Sequence, residues 1–139
     1  MKVLIDTNVI LDWWLDRRPF AQDAQIILSA AESGDLEGSL CATSVTTLHY
    51  LAAKSTGSAQ GRKVIETLLK FLEIAPVHRA VLTQALESPM ADYEDAVLAF
   101  AAKESGADAI VTRDKHGFSR SPVQILTCSE LVRLLEEDA

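Results

Sequence analysis

Five short runs of β-forming residues recur along the chain, with helical patterns between them. They are KVLI (2–5), LEGSLCA (36–42), EIAPV (73–77), DAIVT (108–112) and VQILT (123–127). Strands that alternate with helices imply a parallel sheet covered on both faces. VILDWWLD reads as a short helix after the first strand. Pro19 opens the next helix, FAQDAQIILSAAES, which ends near Gly34. Thr43 or Ser44 is placed to cap VTTLHYLAAK, and STGSAQG (55–61) reads as a turn-rich joint before the amphipathic RKVIETLLKFL. RAVLTQALES is the next helix, and Pro89 breaks the chain after it. Asp92 precedes the helix YEDAVLAFAAKES, ended by Gly106, and SELVRLLEE forms a last helix. No repeat, low-complexity segment or linker interrupts this order. The 139 residues suit one domain, 1–139.

The first strand runs straight into a carboxylate, in VLIDTNVILD (3–12). In open parallel α/β sheets, ligands bind beyond the carboxyl ends of the strands. Asp6 falls at such an end. Asp114 follows the fourth strand by two residues, in IVTRDKHGF, and Asp95 lies in the first turn of the helix before that strand. AVLAFAA in that helix is apolar on every side, so the helix is expected to be buried. Topology thus delivers three carboxylates to one sheet edge.

Such a cluster is costly. Two unit charges about 5 Å apart repel by roughly 3 kcal/mol at an effective dielectric near 20, so three pairs cost on the order of 10 kcal/mol. Either a carboxyl group stays protonated or a cation sits among them. Oxygen donors with no nearby Cys/His set favour Mg²⁺ or Mn²⁺ over zinc, and that chemistry suits phosphodiester hydrolysis.

These motifs resemble those of a known family, the PIN domains. The resemblance spans essentially the whole chain and is carried by LIDTNVILD, DYEDAVLAFAA and ADAIVTRDKHGF in that order. It implies a three-layer α/β/α sandwich with a central, mostly parallel five-stranded sheet. It implies a metal-dependent ribonuclease acting on RNA, similar to the VapC-type toxins of toxin–antitoxin pairs, with an antitoxin protein as partner. Asp6, Asp95 and Asp114 are then metal-binding acidic residues, with Asn8, Thr112 and Arg113 in the motifs beside them as candidate substrate contacts. Arg113, Lys115 and Arg120 are candidates for substrate phosphate contact. Asp92 is a candidate fourth acid, since it shares a helix face with Asp95. The sequence departs from the family at two places. Many members carry a glutamate early in the helix after the second strand, where this chain has His49. The last motif often has an aspartate directly before its phenylalanine, where this chain has Gly117, and Asp114 is placed to take over.

Plainer roles compete. Asp6 and Asp92 fit helix caps, Asp95 fits a macrodipole partner, and Asp114 fits a turn. Trp13 and Trp14 fit the core or a homodimer interface, and Arg17 and Arg18 a solvated loop. A catalytically impaired binding module of the same fold is the alternative function. Haloacid-dehalogenase-like chemistry needs a second aspartate where Asn8 stands, and no phosphate-binding GxxxxGK[ST] loop is present.

Charge and cysteine usage add bounds. A formal net charge of −7 gives no general attraction for a phosphate backbone, so nucleic-acid contact needs a local basic patch, a metal ion or a partner. Cys41 and Cys128 lie outside any motif and are expected to be reduced thiols. With no signal-peptide pattern and no apolar run near the roughly 20 residues that span a bilayer, the expected location is the cytoplasm.

Overall fold

The computed structural model describes residues 1–138. Strands β1 (Lys2–Ile5), β2 (Glu37–Cys41), β3 (Glu73–Ala75), β4 (Ala109–Val111) and β5 (Gln124–Leu126) form one all-parallel sheet in the order β3-β2-β1-β4-β5. The first strand is therefore central. Leu4 lies opposite Ser39 on one side and Ile110 on the other.

Alternation along the strands divides the interior into two cores. Val3 and Ile5 of β1, with Ala109 and Val111 of β4, face one core. Leu4 and Ile110 face the other. Residues i and i+2 share a face, so each strand feeds both layers, and all six side chains are buried. The first core is covered by α1 (Thr7–Trp14), α2 (Ala21–Ser33), α3 (Ala42–Thr56), α4 (Ser58–Leu69) and α7 (Cys128–Glu137). The second is covered by α5 (Arg79–Glu87) and α6 (Tyr93–Glu104). The result is the α/β/α sandwich expected from the sequence.

Helix α6 is the apolar-all-round helix. Six of its residues, Ala96, Val97, Leu98, Ala99, Ala101 and Ala102, are buried, and the four small alanines let the helix lie close to the sheet.

Three local expectations are corrected. Helix α3 begins at Ala42, with Cys41 at its N-cap and no side-chain cap bond, so neither Thr43 nor Ser44 caps it. The extended backbone of β2 runs directly into the helix, and its last residue takes the cap position. Residues 55–61 are not a loop. Helix α3 continues to Thr56, and Gly57, at φ +98°, is the whole connection to α4. Gly61 sits inside α4, where a Cβ would come within 3.1 Å of the Ala53 backbone. Its lack of a side chain permits close helix packing rather than a turn. Finally, Pro19 lies two residues before α2, whose N-cap is Phe20.

Among the described residues no helix is long and apolar enough to cross a membrane.

Candidate active site

Asp6 ends β1, and its backbone N–H is bonded to the Val111 carbonyl at 3.0 Å, so it sits where the two central strands run out. Its side chain is nearly buried, at 9% exposure. One carboxylate oxygen accepts the Thr7 backbone N–H at 2.8 Å; the other accepts the Thr112 hydroxyl at 2.8 Å. The capping role is real, since Asp6 precedes the first turn of α1. The second oxygen is held across the sheet end. Burial raises the Asp6 pKa above its usual value, opposed by these hydrogen bonds.

Thr112 organises this corner. It is fully buried. Its hydroxyl donates to Asp6, accepts the Asn8 amide at 3.3 Å and accepts the Asp114 backbone N–H at 3.0 Å. The Asn8 carbonyl oxygen in turn accepts the Arg113 N–H at 3.2 Å. The sequence suggested Asn8 and Thr112 as substrate contacts. The buried Thr112 instead positions Asp6 and Asp114, and the Asn8 amide fixes the chain between them.

Arg113 is likewise engaged. Its guanidinium binds Asp12 through Nε at 2.9 Å and through a terminal nitrogen at 3.0 Å, and it lies 4.1 Å over the Phe20 ring. Asp12 is only 1% exposed and also receives Arg17 at 3.4 Å. Arg17 therefore belongs to this network rather than to a solvated loop. Lys115 pairs with the exposed Glu130 at 3.1 Å. Asp12 escaped the sequence reading because it looked like one more polar position on a short helix. The signal was present: Asn8 and Asp12 stand one helical turn apart and so share a face.

Asp95 occupies the first turn of α6. Asp92 is the N-cap, and its carboxylate accepts the Asp95 N–H at 2.9 Å. The Asp95 pKa is raised to about 6, first by burial and then by the charges of Asp92, Asp6, Glu94 and Asp114. Acids from the two other motifs, Asp6 and Asp114, thus act on it electrostatically together with Asp92 and Glu94 of its own. Asp114 precedes a 3-10 turn, Lys115–Phe118, that the sequence reading did not foresee.

Gly117 fits the gap among the acids. A Cβ there would lie 2.8 Å from one Asp114 carboxylate oxygen and 3.2 Å from one Asp95 carboxylate oxygen. The two carboxylates converge on the bare side of the glycine, and the Gly117 N–H donates to the other Asp114 oxygen at 3.3 Å. Among the described residues no group of three or more His, Cys, Asp or Glu side chains stands, in this conformation, close enough together to hold a metal ion. Asp95 and Asp114 flank the bare face of Gly117 without closing on it.

His49 stands on α3. It lines a groove of about 580 Å³ between α3 and α4, with Val45, Arg62, Ile65 and Glu66, and none of the four acids contributes to that groove. Trp13 and Trp14 pack against the first core with ring centroids 5.6 Å apart.

Known proteins resemble this chain in sequence and in fold. The PIN domain family profile matches residues 2–116. Ribonuclease VapC1 of Aquifex aeolicus is 29% identical over 137 residues, covering 93% of this chain and 92% of the relative. The crystal structure of VapBC2 from Rickettsia felis, bound to a DNA fragment from its promoter, superposes with a TM-score of 0.70 at 17% identity, covering 91% of this chain and 98% of that one. DNA-bound VapBC from Salmonella typhimurium gives a TM-score of 0.70 at 20% identity, covering 92% of this chain and 98% of that one. These structures share the fold, and the profile spans most of the chain from β1 into the 3-10 turn that follows Asp114. The chain belongs to the PIN domain family.

Proposed function

We propose that this chain is a metal-dependent endoribonuclease, the toxin of a toxin–antitoxin pair. One observation carries the chemistry: Asp6, Asp95 and Asp114 come from three distant motifs and gather at the carboxyl end of the central strands. The ribonuclease name of the Aquifex relative supports RNA as the substrate, and the toxin–antitoxin complexes among the structural neighbours support an antitoxin partner.

The donor set fits a hard divalent cation. The candidate ligands are all carboxylate oxygens, and the bare face of Gly117 leaves room between two of them. Asp6, Asp95 and Asp114 would hold Mg²⁺ or Mn²⁺. When bound, the ion supplies an activated water and offsets charge on the phosphate. The protein's own share is positioning. Thr112 and Thr7 fix the two oxygens of Asp6, Asp114 is set by its bonds to Thr112 and Gly117, and Asp92 caps the helix that presents Asp95. Asp92 also adds negative charge at the rim as the fourth acid.

The acidic surface suits a basic partner, and arginines of an antitoxin can pair two-pronged with these carboxylates. A homodimer is the expected assembly. Leu82 and Leu86 on α5, with Tyr93 nearby, are 41%, 75% and 48% exposed and offer apolar contact area. Soluble, cytoplasmic action on RNA completes the reading.

His49 motivates the second reading, a PIN-fold module that binds RNA without cutting it. One experiment separates them. The purified chain is incubated with single-stranded RNA and Mg²⁺ or Mn²⁺. Cleavage is expected from the wild type and from His49→Ala, and its loss from Asp6→Asn, Asp95→Asn and Asp114→Asn with unchanged circular dichroism. Binding without cleavage under either metal would favour the module.

A further inference from the structure

Two of the cations that stand near the acids are already engaged: Arg113 with Asp12, and Lys115 with Glu130. Immediately beyond Asp114, the chain forms a hollow of about 590 Å³ between the 3-10 turn and β5. Its polar lining is Lys115, His116, Ser119, Arg120 and Ser121, above an apolar floor that includes Val123, and no acidic residue contributes. For a chain of net charge −7, an acid-free concavity bearing three basic side chains is a local reversal of sign.

The donors in it are not all free. The Ser121 hydroxyl is bonded to the Val123 backbone, and Lys115 reaches across to Glu130. Among the described residues, the side chains of His116, Ser119 and Arg120 make no hydrogen bond or ion pair. Arg120 also adopts φ +68°, a conformation costly for a residue with a Cβ. Holding a guanidinium on such a backbone serves no contact within the chain. The hollow and the acid cluster meet at one turn: Lys115, His116 and Phe118 line the hollow, and Gly117, against which Asp95 and Asp114 converge, lies among them in the sequence.

We propose that this hollow binds the backbone phosphates of the RNA strand on one side of the cleaved bond, with Arg120 and His116 as the contacting residues. The inference rests on the ribonuclease reading of the acid cluster. It assigns the phosphate contacts to the residues past Asp114 rather than to Arg113. Phosphate contact here is sequence-independent and sensitive to salt.

The test uses full-length protein carrying Asp95→Asn, so that labelled single-stranded RNA is bound without being cut. Fluorescence anisotropy is read at several salt concentrations. Arg120→Ala should weaken binding about three- to tenfold and reduce the slope of log K against log salt by about 0.7, the value for one phosphate on a single strand. His116→Ala should act in the same direction. Arg120→Lys should keep most of the affinity, and Arg133→Ala on α7 should change nothing. Melting temperatures of the variants report whether each is folded. RNA binding by the parent that Arg120→Ala and His116→Ala both leave unchanged overturns the hollow alone. A parent that binds no RNA overturns the ribonuclease reading and the hollow with it. Arg120-dependent binding of polyglutamate, with RNA binding unaffected, would give the surface to an acidic protein and also overturn the proposal.

Discussion

Arg113 closes a two-pronged bond on Asp12, at 2.9 and 3.0 Å, around a carboxylate that is 1% exposed. The pair joins α1 to the segment that carries Thr112 and Asp114. Removing one partner of a buried ion pair strands the other. Arg113→Ala leaves Asp12 with Arg17 alone and is expected to cost about 2–4 kcal/mol, read by urea unfolding. Arg113→Lys keeps the charge but loses the fork and the contact with Phe20, and should recover less than half of that loss. A stability unchanged in Arg113→Ala would show that the pair contributes nothing.

Thr112→Val removes one buried hydroxyl and little volume. Asp6 loses a donor, while the Asn8 amide and the Asp114 N–H lose an acceptor. The expected cost is about 1–3 kcal/mol, with a fall in RNA cleavage larger than any loss of folded protein at assay temperature. Thr112→Ser should retain both stability and cleavage. Equal activity in the valine variant would remove Thr112 from the positioning network.

The raised pKa of Asp95 sets a direction for stability. Its folded value is about 6, against an ordinary 3.8. Below about pH 4 both states are protonated, and the site costs nothing. As pH rises from about 4 to 6 the unfolded chain ionises first, so metal-free protein loses stability, and above 6 the loss is complete. Because Asp95 is partly open to solvent, the expected size is on the order of 1–2 kcal/mol. Burial of Asp6 acts in the same direction. Asp95→Asn should flatten this part of the melting-temperature profile and stabilise the apo protein at pH 7. Asp92→Asn keeps a good cap but removes the neighbouring charge, so the midpoint should move below 6. Mg²⁺ or Mn²⁺ should oppose the loss. A wild-type profile flat from pH 4 to 7 would contradict the clustering of acids.

Gly117 and Asp114 make a reciprocal arrangement, since a side chain at 117 would enter the space the Asp114 carboxylate fills. Gly117→Ala should displace that carboxylate and reduce cleavage about tenfold or more with the fold intact. Asp114→Ala combined with Gly117→Asp returns an acid to the same space from the other end of the turn, and should restore part of the activity that Asp114→Ala loses. Full activity in Gly117→Ala would show that the gap has no role.

The sheet was legible because its strands are short, apolar and separated by helices, and burial on both faces leaves that pattern little freedom. All five appear, the first with the expected bounds and the other four trimmed at their ends. The three acids were legible because topology alone brings strand ends together. Three features were hidden. Gly57 and Gly61 carry turn chemistry in the sequence, but only the distance to Ala53 reveals that Gly61 serves packing. The partnership of Asp12 with Arg113 spans most of the chain, and no local pattern encodes it. The engagement of Arg113 and Lys115, which withdraws them from the list of free cations, also depends on side chains that meet only in the folded state.

The bonds that Asn8, Asp6 and Asp12 make with Thr112 and Arg113 cross 101 to 106 residues. None can form while the ribosome still holds the second of the two segments. The early half of this chain therefore emerges with its first aspartate in place and no centre around it. Contacts so distant form late and slowly, after the intervening helices have closed the loop. Assembly of the acid site is thus timed by the architecture itself. On the proposed reading, a growing chain stays inert toward the RNA that surrounds it, and a partner that restrains the finished protein has the whole interval of translation in which to arrive.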